Sequence, residues 1–431
     1  MAATPSNASH PDAHGSRPAP PPLPRTFPLD TVLVEDAAGQ QFRLLEATAA
    51  HFTGPELFAA DAGVVPELGR PRTTARVEAV LAAYFGAEDA ALVQGAGTGA
   101  IRAALTAAVG PGEPLLVHRA PVYRTTAVTL RGLGVETVEA DFNDLDALRS
   151  VLASGRFRWA YVQHTRQRLA DSYDPGEVLA ACRQAGVRTL TDDNYAVFRV
   201  PASGVELGAD ASCFSLFKLH GPEGVGAVVG AADLVARVHA DNYSGGGQVQ
   251  GHQALDALRA LTHVPVMWAL QSRVGAEVAA ERLAAGEVPG VADVRLANAQ
   301  DRCLLVQLDT PVARRLPEVA ARFGAAPYPV GSNSRYEIAP LFYRMSSSAL
   351  DDAPGLADWV VRVNPMRAGA DLVLDILRRS LAAIGGEPPA PEAPGQHSAP
   401  GGPGPAHAPE APRQHAAPAA PHDVPQHRAK D

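Results

Sequence analysis

The chain holds only two lysines, Lys218 and Lys430, among its 37 basic side chains. Lys430 is the next-to-last residue of a Pro/Ala-rich tail, so the foldable body has one lysine and otherwise uses arginine. Surface cations are largely interchangeable. A primary amine that must lose its proton and attack a carbonyl is not, because guanidinium stays charged and forms no Schiff base. Lys218 follows the apolar run Cys213-Phe-Ser-Leu-Phe217 and precedes the Gly-rich turn Gly221-Pro-Glu-Gly224. That setting puts it at a strand end, not on a solvated face.

Two further stretches could do chemistry. Gln94-Gly-Ala-Gly-Thr-Gly-Ala-Ile-Arg102 stands between an apolar strand and a helix. Backbone N–H groups of Gly97, Thr98 and Gly99 at a helix N-terminus make an anion site. The stretch also scans as G-x-G-x-x-A, a dinucleotide fingerprint, which wants an acidic residue ending the next strand. That strand ends in His118-Arg119, and no Gly-Lys-Ser/Thr follows, so a phosphate-sized anion is the favoured ligand. The second stretch, Thr191-Asp-Asp-Asn-Tyr195, ends a strand, where α/β sheets bind ligands. Strand alternation lets only one of Asp192 and Asp193 face a given ligand. Asp192 and Tyr195, three apart, can reach one flat molecule from different edges. Asp193 then faces a neighbouring loop or solvent. Ser215, three residues before Lys218, can offer a hydroxyl to the same anion.

The elements that must position these residues alternate. Strands at Ala90–Gln94, Leu115–His118, Val135–Ala140, Trp159–Gln163, Val187–Asp192, Ala211–Phe217 and Gly226–Val229 are separated mostly by helical patterns, which implies a mainly parallel sheet. Helical patterns at Gln253–Leu261 and Trp268–Leu283 lead away from it, toward strands Cys303–Leu308 and Trp359–Val363 and a last helix, Leu372–Ile384. The expected fold is α/β: three layers around a mainly parallel sheet, plus a smaller C-terminal α+β domain. The expected organisation is a Pro/Ala-rich disordered arm (1–26), an N-terminal segment of the small domain (27–75), a large cofactor domain (76–264), a C-terminal small domain (265–385) and a disordered Pro/Ala/Gly/His tail (386–431). The tail's five histidines (His397, His407, His415, His422, His427) read as low-complexity drift.

Composition excludes several classes. A formal net charge of −9 offers no footprint for nucleic acid or for a basic membrane surface. Three scattered cysteines argue against a disulfide framework or a zinc site and fit a reducing cytoplasm. No metal is expected, and no apolar run is long enough to cross a bilayer.

The ordered constellation of Gly-rich anion loop, Asp-x-x-Tyr and Ser-x-x-Lys resembles the fold-type I pyridoxal-5′-phosphate (PLP) enzymes, the aspartate aminotransferase superfamily. Within it, the chain is most similar to the cystathionine γ-synthase/methionine γ-lyase branch and to aminotransferase class V-like proteins, including the YhfS-like group. The resemblance implies that Lys218 bonds the cofactor aldehyde and later moves the substrate Cα proton, and that Asp192 pairs with the ring nitrogen. It implies that Tyr195 hydrogen-bonds the ring's phenolic oxygen, and that Gly97, Thr98 and Ser215 hold the phosphate. Tyr123, in Tyr123-Arg-Thr-Thr126, matches the tyrosine that stacks on the cofactor in the γ-lyase branch. Arg362 matches the arginine that clamps the substrate carboxylate, a task suited to a bidentate fork, with Arg344 as its competitor. Phe217 departs from the pattern, since many relatives have a hydroxyl side chain there. The resemblance further implies a homodimer or a dimer of dimers, with Tyr243-Ser-Gly-Gly-Gly-Gln-Val-Gln250 reaching a neighbour's phosphate. The expected reaction is elimination or replacement at Cβ or Cγ of an amino acid or amine. Transamination and a non-catalytic PLP carrier or regulator are the alternatives, ahead of an NAD(P)-dependent oxidoreductase.

Overall fold

The computed structural model describes residues 19–386 except 245–246, 298–301, 330–332, 347–348 and 351–352. The tail expectation for 387–431, histidines included, lies outside the described residues.

Seven strands form the large sheet: β1 (Asp89–Gln94), β2 (Pro114–His118), β3 (Glu136–Ala140), β4 (Trp159–Gln163), β5 (Arg188–Asp192), β6 (Ala211–Ser215) and β7 (Val225–Gly230). Their order is β1-β7-β6-β5-β4-β2-β3. The β2/β3, β2/β4, β4/β5 and β5/β6 pairs are parallel, and β7 runs antiparallel to both β6 and β1. Most of the strands read as continuous apolar runs because helices cover both faces. The covering helices are α1 (Val34–His51), α2 (Arg72–Phe85), α3 (Ala96–Ala108), α4 (Arg124–Leu133), α5 (Leu145–Leu152), α6 (Pro175–Gln184), α7 (Ala232–Asp241), α8 (Gly251–Leu261) and α9 (Val264–Leu270). Alternation along β1 divides the core. Ala91 and Val93 pack with Ile101 and Leu105 of α3, while Ala90 and Leu92 pack with Val77 and Leu81 of α2.

Helix α9 continues through a π-helical stretch, Gln271–Glu277, into α10 (Val278–Ala284). The sequence pattern reads this as one uninterrupted helix, since periodicity does not register a wider turn. The large-domain core ends with Trp268 and the second core begins at Ala276, so the domain boundary falls within this stretch. The small domain is a four-stranded antiparallel sheet, order β10-β11-β9-β8, built from β8 (Val291–Ala297), β9 (Cys303–Leu308), β10 (Leu341–Arg344) and β11 (Val360–Asn364). Helices α11 (Leu316–Ala321) and α12 (Ala370–Gly386) cover one face.

The N-terminal segment divides in a way the sequence pattern does not reveal. Helix α1 buries Leu44 in the large-domain core and packs on α2 and α9. Before it, the chain lies along the small sheet. Leu23 packs beside Met345 and Val360, the Gln307 side chain donates to the Pro21 carbonyl, and Thr26 Oγ1 donates to the Leu296 carbonyl at 2.7 Å. Residues 19–26 of the expected arm are therefore docked. Removal of residues 1–18 should leave the melting temperature unchanged. Trimming through residue 26 should cost about 1–2 kcal/mol, from one half-buried leucine and the lost hydrogen bonds, measured by thermal denaturation.

Candidate active site

The carboxyl ends of β1, β4, β5 and β6 converge, as expected for ligand sites in open α/β sheets. Together with the start of α4 they enclose a cavity of about 170 Å³. Ala96, Gly97, Thr98, Tyr123, Asp192, Tyr195, Ser215 and Lys218 line it, with Gln163 at the end of β4 and Thr165 and Gln167 from the loop after it.

Each side chain is placed by its local backbone. Gly95 (φ +98°) and Ala96 (φ +53°) take left-handed conformations that turn β1 into α3. Both donate their N–H groups to the Gly224 carbonyl at 2.7 Å, which ties the anion loop to the turn after Lys218. Gly97 leaves room for the Asn194 side chain: a Cβ there would lie 1.8 Å from Asn194 Oδ1 and displace it. Gly99 has a different role from the anion contact expected of it. Its N–H is spent on the Gly95 carbonyl, a Cβ would lie 2.0 Å from the Gln94 carbonyl, and it does not line the cavity.

Lys218 stands three residues beyond β6 in a single 3₁₀ turn, Phe217–Leu219. Its backbone N–H donates to Ser215 Oγ at 3.3 Å, and its Nζ lies 3.8 Å from the centroid of the Tyr195 ring. His220, in left-handed conformation at φ +64°, closes the turn. Burial, with Arg367, Arg199 and Arg335 nearby, pulls its imidazole down to about 3, so it stays neutral and accepts from Arg367.

The two aspartates separate as alternation demands. Asp192 lines the cavity, and its Oδ1 and Oδ2 accept from Asn194 and Tyr161. Asp193 points the other way. It faces a neighbouring loop, through the Gly204 N–H at 2.9 Å, but not solvent: it is fully buried and pairs with His164 Nδ1 at 2.7 Å. Burial alone would raise its carboxyl. Hydrogen bonds from His164, Ser212 and Gly204 outweigh that and hold it below the usual carboxylate range.

Tyr123 caps the N-terminus of α4 and lines the cavity, its phenol raised by burial and by the neighbouring Tyr195 and Asp192. The arginines lie further off, and neither lines the cavity. Arg362 is buried in β11, opposite Leu305 and Tyr343, and donates to the Tyr343 hydroxyl at 2.8 Å. Leu305 belongs to a cluster that includes Leu169, from the loop after β4, so this sheet face is turned to the large domain. Arg344 pairs with Val361 on the opposite, helix-covered face and is exposed. Tyr243 is 73% exposed and does not line this cavity.

Sequence reasoning missed Gln163, Thr165, Gln167, Asn194 and Tyr161. The strand-end rule applied to β4 finds Gln163, and Asn194 sits inside a stretch already singled out. Tyr161 in Trp159-Ala-Tyr-Val-Gln163 reads as core. Among the described residues, no group of His, Cys, Asp and Glu could hold a metal ion, and no helix is long and apolar enough to cross a membrane.

Two polar atoms test whether a cofactor fits. Tyr195 OH and Asn194 Oδ1 are buried and make no hydrogen bond among the described residues, although both residues line the cavity. Such orphans call for a polar ligand. A flat, phosphorylated aldehyde answers the Tyr195 hydroxyl, a phenol for a ring hydroxyl, and fits the rest of the lining: an amine for the aldehyde, a carboxylate for a ring nitrogen and a helix N-terminus for the phosphate.

Fold and cavity together define a fold-type I PLP-dependent protein. The chain is 51% identical over 361 residues to the YhfS protein of Escherichia coli (strain K12), covering 84% of this chain and 100% of that one. The crystal structure of the E. coli protein, described as pyridoxal-5′-phosphate dependent, matches with a TM-score of 0.82 at 50% identity over the same shares of the two chains. Residues 119–267 match the aminotransferase class-V family, and residues 277–377 match the YhfS-like C-terminal domain. The chain belongs to the YhfS-like family of PLP-dependent proteins. Cystathionine gamma lyase CalE6 of Micromonospora echinospora shares the fold, with a TM-score of 0.59 at 21% identity over 73% of this chain and 87% of that one.

Proposed function

We propose that this protein is a PLP-dependent enzyme that acts on a small amino acid by elimination or replacement at Cβ or Cγ. The observation that carries the reading is a single cavity bringing together the body's only lysine, the Asp192 carboxylate and the Tyr123 phenol. When bound, PLP supplies an electron sink for charge developing at the substrate Cα. The protein's residues do the rest. Gly97, Thr98 and Ser215 hold the phosphate, and Tyr195, with its unsatisfied hydroxyl, holds the ring's phenolic oxygen. Asp192 holds the proton on the ring nitrogen. Lys218 Nζ takes the Cα proton, and its lean over the Tyr195 face keeps it at the cavity wall. Tyr123, in the cavity wall, would face the ring, and its phenol could donate a proton to a departing group. Arg362, on the sheet face turned to the large domain, receives the substrate carboxylate. A homodimer, with the segment that begins at the exposed Tyr243 reaching the neighbouring site, completes the proposal.

Transamination is the second reading, favoured by the aminotransferase class-V match over residues 119–267. A panel of amino acids with leaving groups at Cβ or Cγ separates the two. Elimination releases ammonia and a keto acid in equal amounts and leaves the cofactor as PLP. Transamination converts the cofactor to its amine form without free ammonia. With a thiol added, replacement joins the thiol sulfur to the substrate carbon, passes the thiol proton to the departing group and leaves the cofactor as PLP. None of these products with any member of the panel would count against both readings and favour a non-catalytic PLP carrier.

A further inference from the structure

The carboxyl of Asp192 is gripped from two sides. Oδ1 accepts the backbone N–H of Asn194 at 3.1 Å and its side-chain amide at 2.7 Å. Oδ2 accepts the hydroxyl of Tyr161 at 2.9 Å. Tyr161 is 2% exposed in β4, and its oxygen also lies 3.4 Å from Thr126 Oγ1 in the first turn of α4. A phenol has one hydrogen and a carboxylate only accepts. The Tyr161 hydrogen therefore goes to Asp192, and Thr126 donates to the phenol oxygen.

We propose that Tyr161 is a positioning residue of the PLP site: its hydroxyl, backed by Thr126, anchors Asp192 Oδ2 and aims the carboxyl at the cofactor's ring nitrogen. This rests on the assignment of Asp192 to that nitrogen. Nothing in the sequence marks Tyr161, which sits in an apolar strand. Its role comes from register alone: β4 and β5 run parallel with Tyr161 beside Leu190 and Gln163 beside Asp192, so a long side chain two residues earlier in β4 reaches the strand-end carboxylate.

The other titratable groups facing Asp192 are Tyr123 at the start of α4, Tyr173, Tyr195 after β5, Cys213 in β6 and Lys218 in the following turn. Burial raises the phenols of Tyr123, Tyr161 and Tyr173 and the Cys213 thiol, so Tyr161 remains a donor across the working pH range.

The test uses full-length protein, as purified, with ¹³C-carboxyl-labelled aspartate. The Asp192 resonance is identified by its loss in Asp192→Asn. In Tyr161→Phe that resonance should shift, because the carboxyl loses its Oδ2 donor. PLP release, followed by loss of the bound cofactor's absorbance, should quicken in parallel by about fivefold. Thr126→Val keeps the phenol and should move both in the same direction by less. It serves alone if Tyr161→Phe does not fold. An unmoved Asp192 resonance would overturn the proposal while leaving PLP binding intact. A shifted resonance with unshifted PLP release would overturn it differently, because Asp192 would then not face the cofactor nitrogen.

Discussion

Lys218→Ala protein should purify colourless, fold normally and turn over nothing. The visible absorbance expected of the wild type comes from a covalent bond between PLP and an ε-amine, and Lys430, the only other lysine, lies outside the described residues, in a Pro/Ala-rich tail. Loss of both the covalent link and the proton carrier should lower the rate by on the order of 10⁴-fold or more. Lys218→Arg should fare no better, since guanidinium neither bonds the aldehyde nor gives up its proton at working pH. Folding should survive, because the Lys218 amine makes one described contact, over the Tyr195 ring, worth about 1–2 kcal/mol at most. Circular dichroism and melting temperature check the fold. Phosphate affinity should persist through Gly97, Thr98 and Ser215, so added PLP should still bind, without the wild-type band.

The adjacent aspartates should fail in opposite ways. On the proposed assignment, Asp192→Asn removes the carboxylate that pairs with the ring nitrogen, an interaction that counts for more away from bulk water. The expected cost is about 3 kcal/mol of transition-state stabilisation, on the order of a hundredfold in rate, with the melting temperature nearly unchanged. Asp193→Asn should keep the absorbance of the bound cofactor but destabilise the fold. It disrupts the buried hydrogen bond with His164 Nδ1 and weakens contacts to Thr191 and Gly204, a loss of about 1–3 kcal/mol. The pH dependence separates them further. The Asp193 carboxyl is held below its ordinary value in the folded protein. Its contribution is therefore present above the unfolded carboxylate range, near pH 4, and is lost as pH falls through the lower folded value. Wild type should lose stability over that acid window and Asp193→Asn should lose less. A rate loss greater for Asp193→Asn than for Asp192→Asn would mean that β5 is out of register by one residue.

What could be read from the residues follows from what each residue is for. Lys218 stood out because its chemistry has no arginine substitute. Asp192 stood out because strand alternation and Tyr195 together choose between two neighbours. Both are local rules, and the structure places both side chains in one cavity with Tyr123, Thr98 and Ser215. The surroundings of Asp193 depend on a loop folding back through Gly204, which no local pattern encodes. Gly97 and Gly99 look alike in sequence but answer to different neighbours, Asn194 and the Gln94 carbonyl. Tyr161 is invisible for the same reason: in an apolar strand a functional tyrosine and a core tyrosine have the same pattern, and only the register against β5 distinguishes them. The π-helical stretch at Gln271–Glu277 and the docking of residues 19–26 on the small sheet are likewise set by tertiary packing, not by propensity.

The central claim, that Lys218 carries the cofactor, is most directly tested by reducing the purified protein with borohydride and mapping its peptides by mass spectrometry. With only two lysines in the chain, Lys430 is a built-in control. The account predicts one reduced phosphopyridoxyl group per chain, on the peptide containing Lys218 and absent from the Lys430 peptide. Modification of Lys430 alone, or no lysine modified in protein that binds PLP, would contradict it.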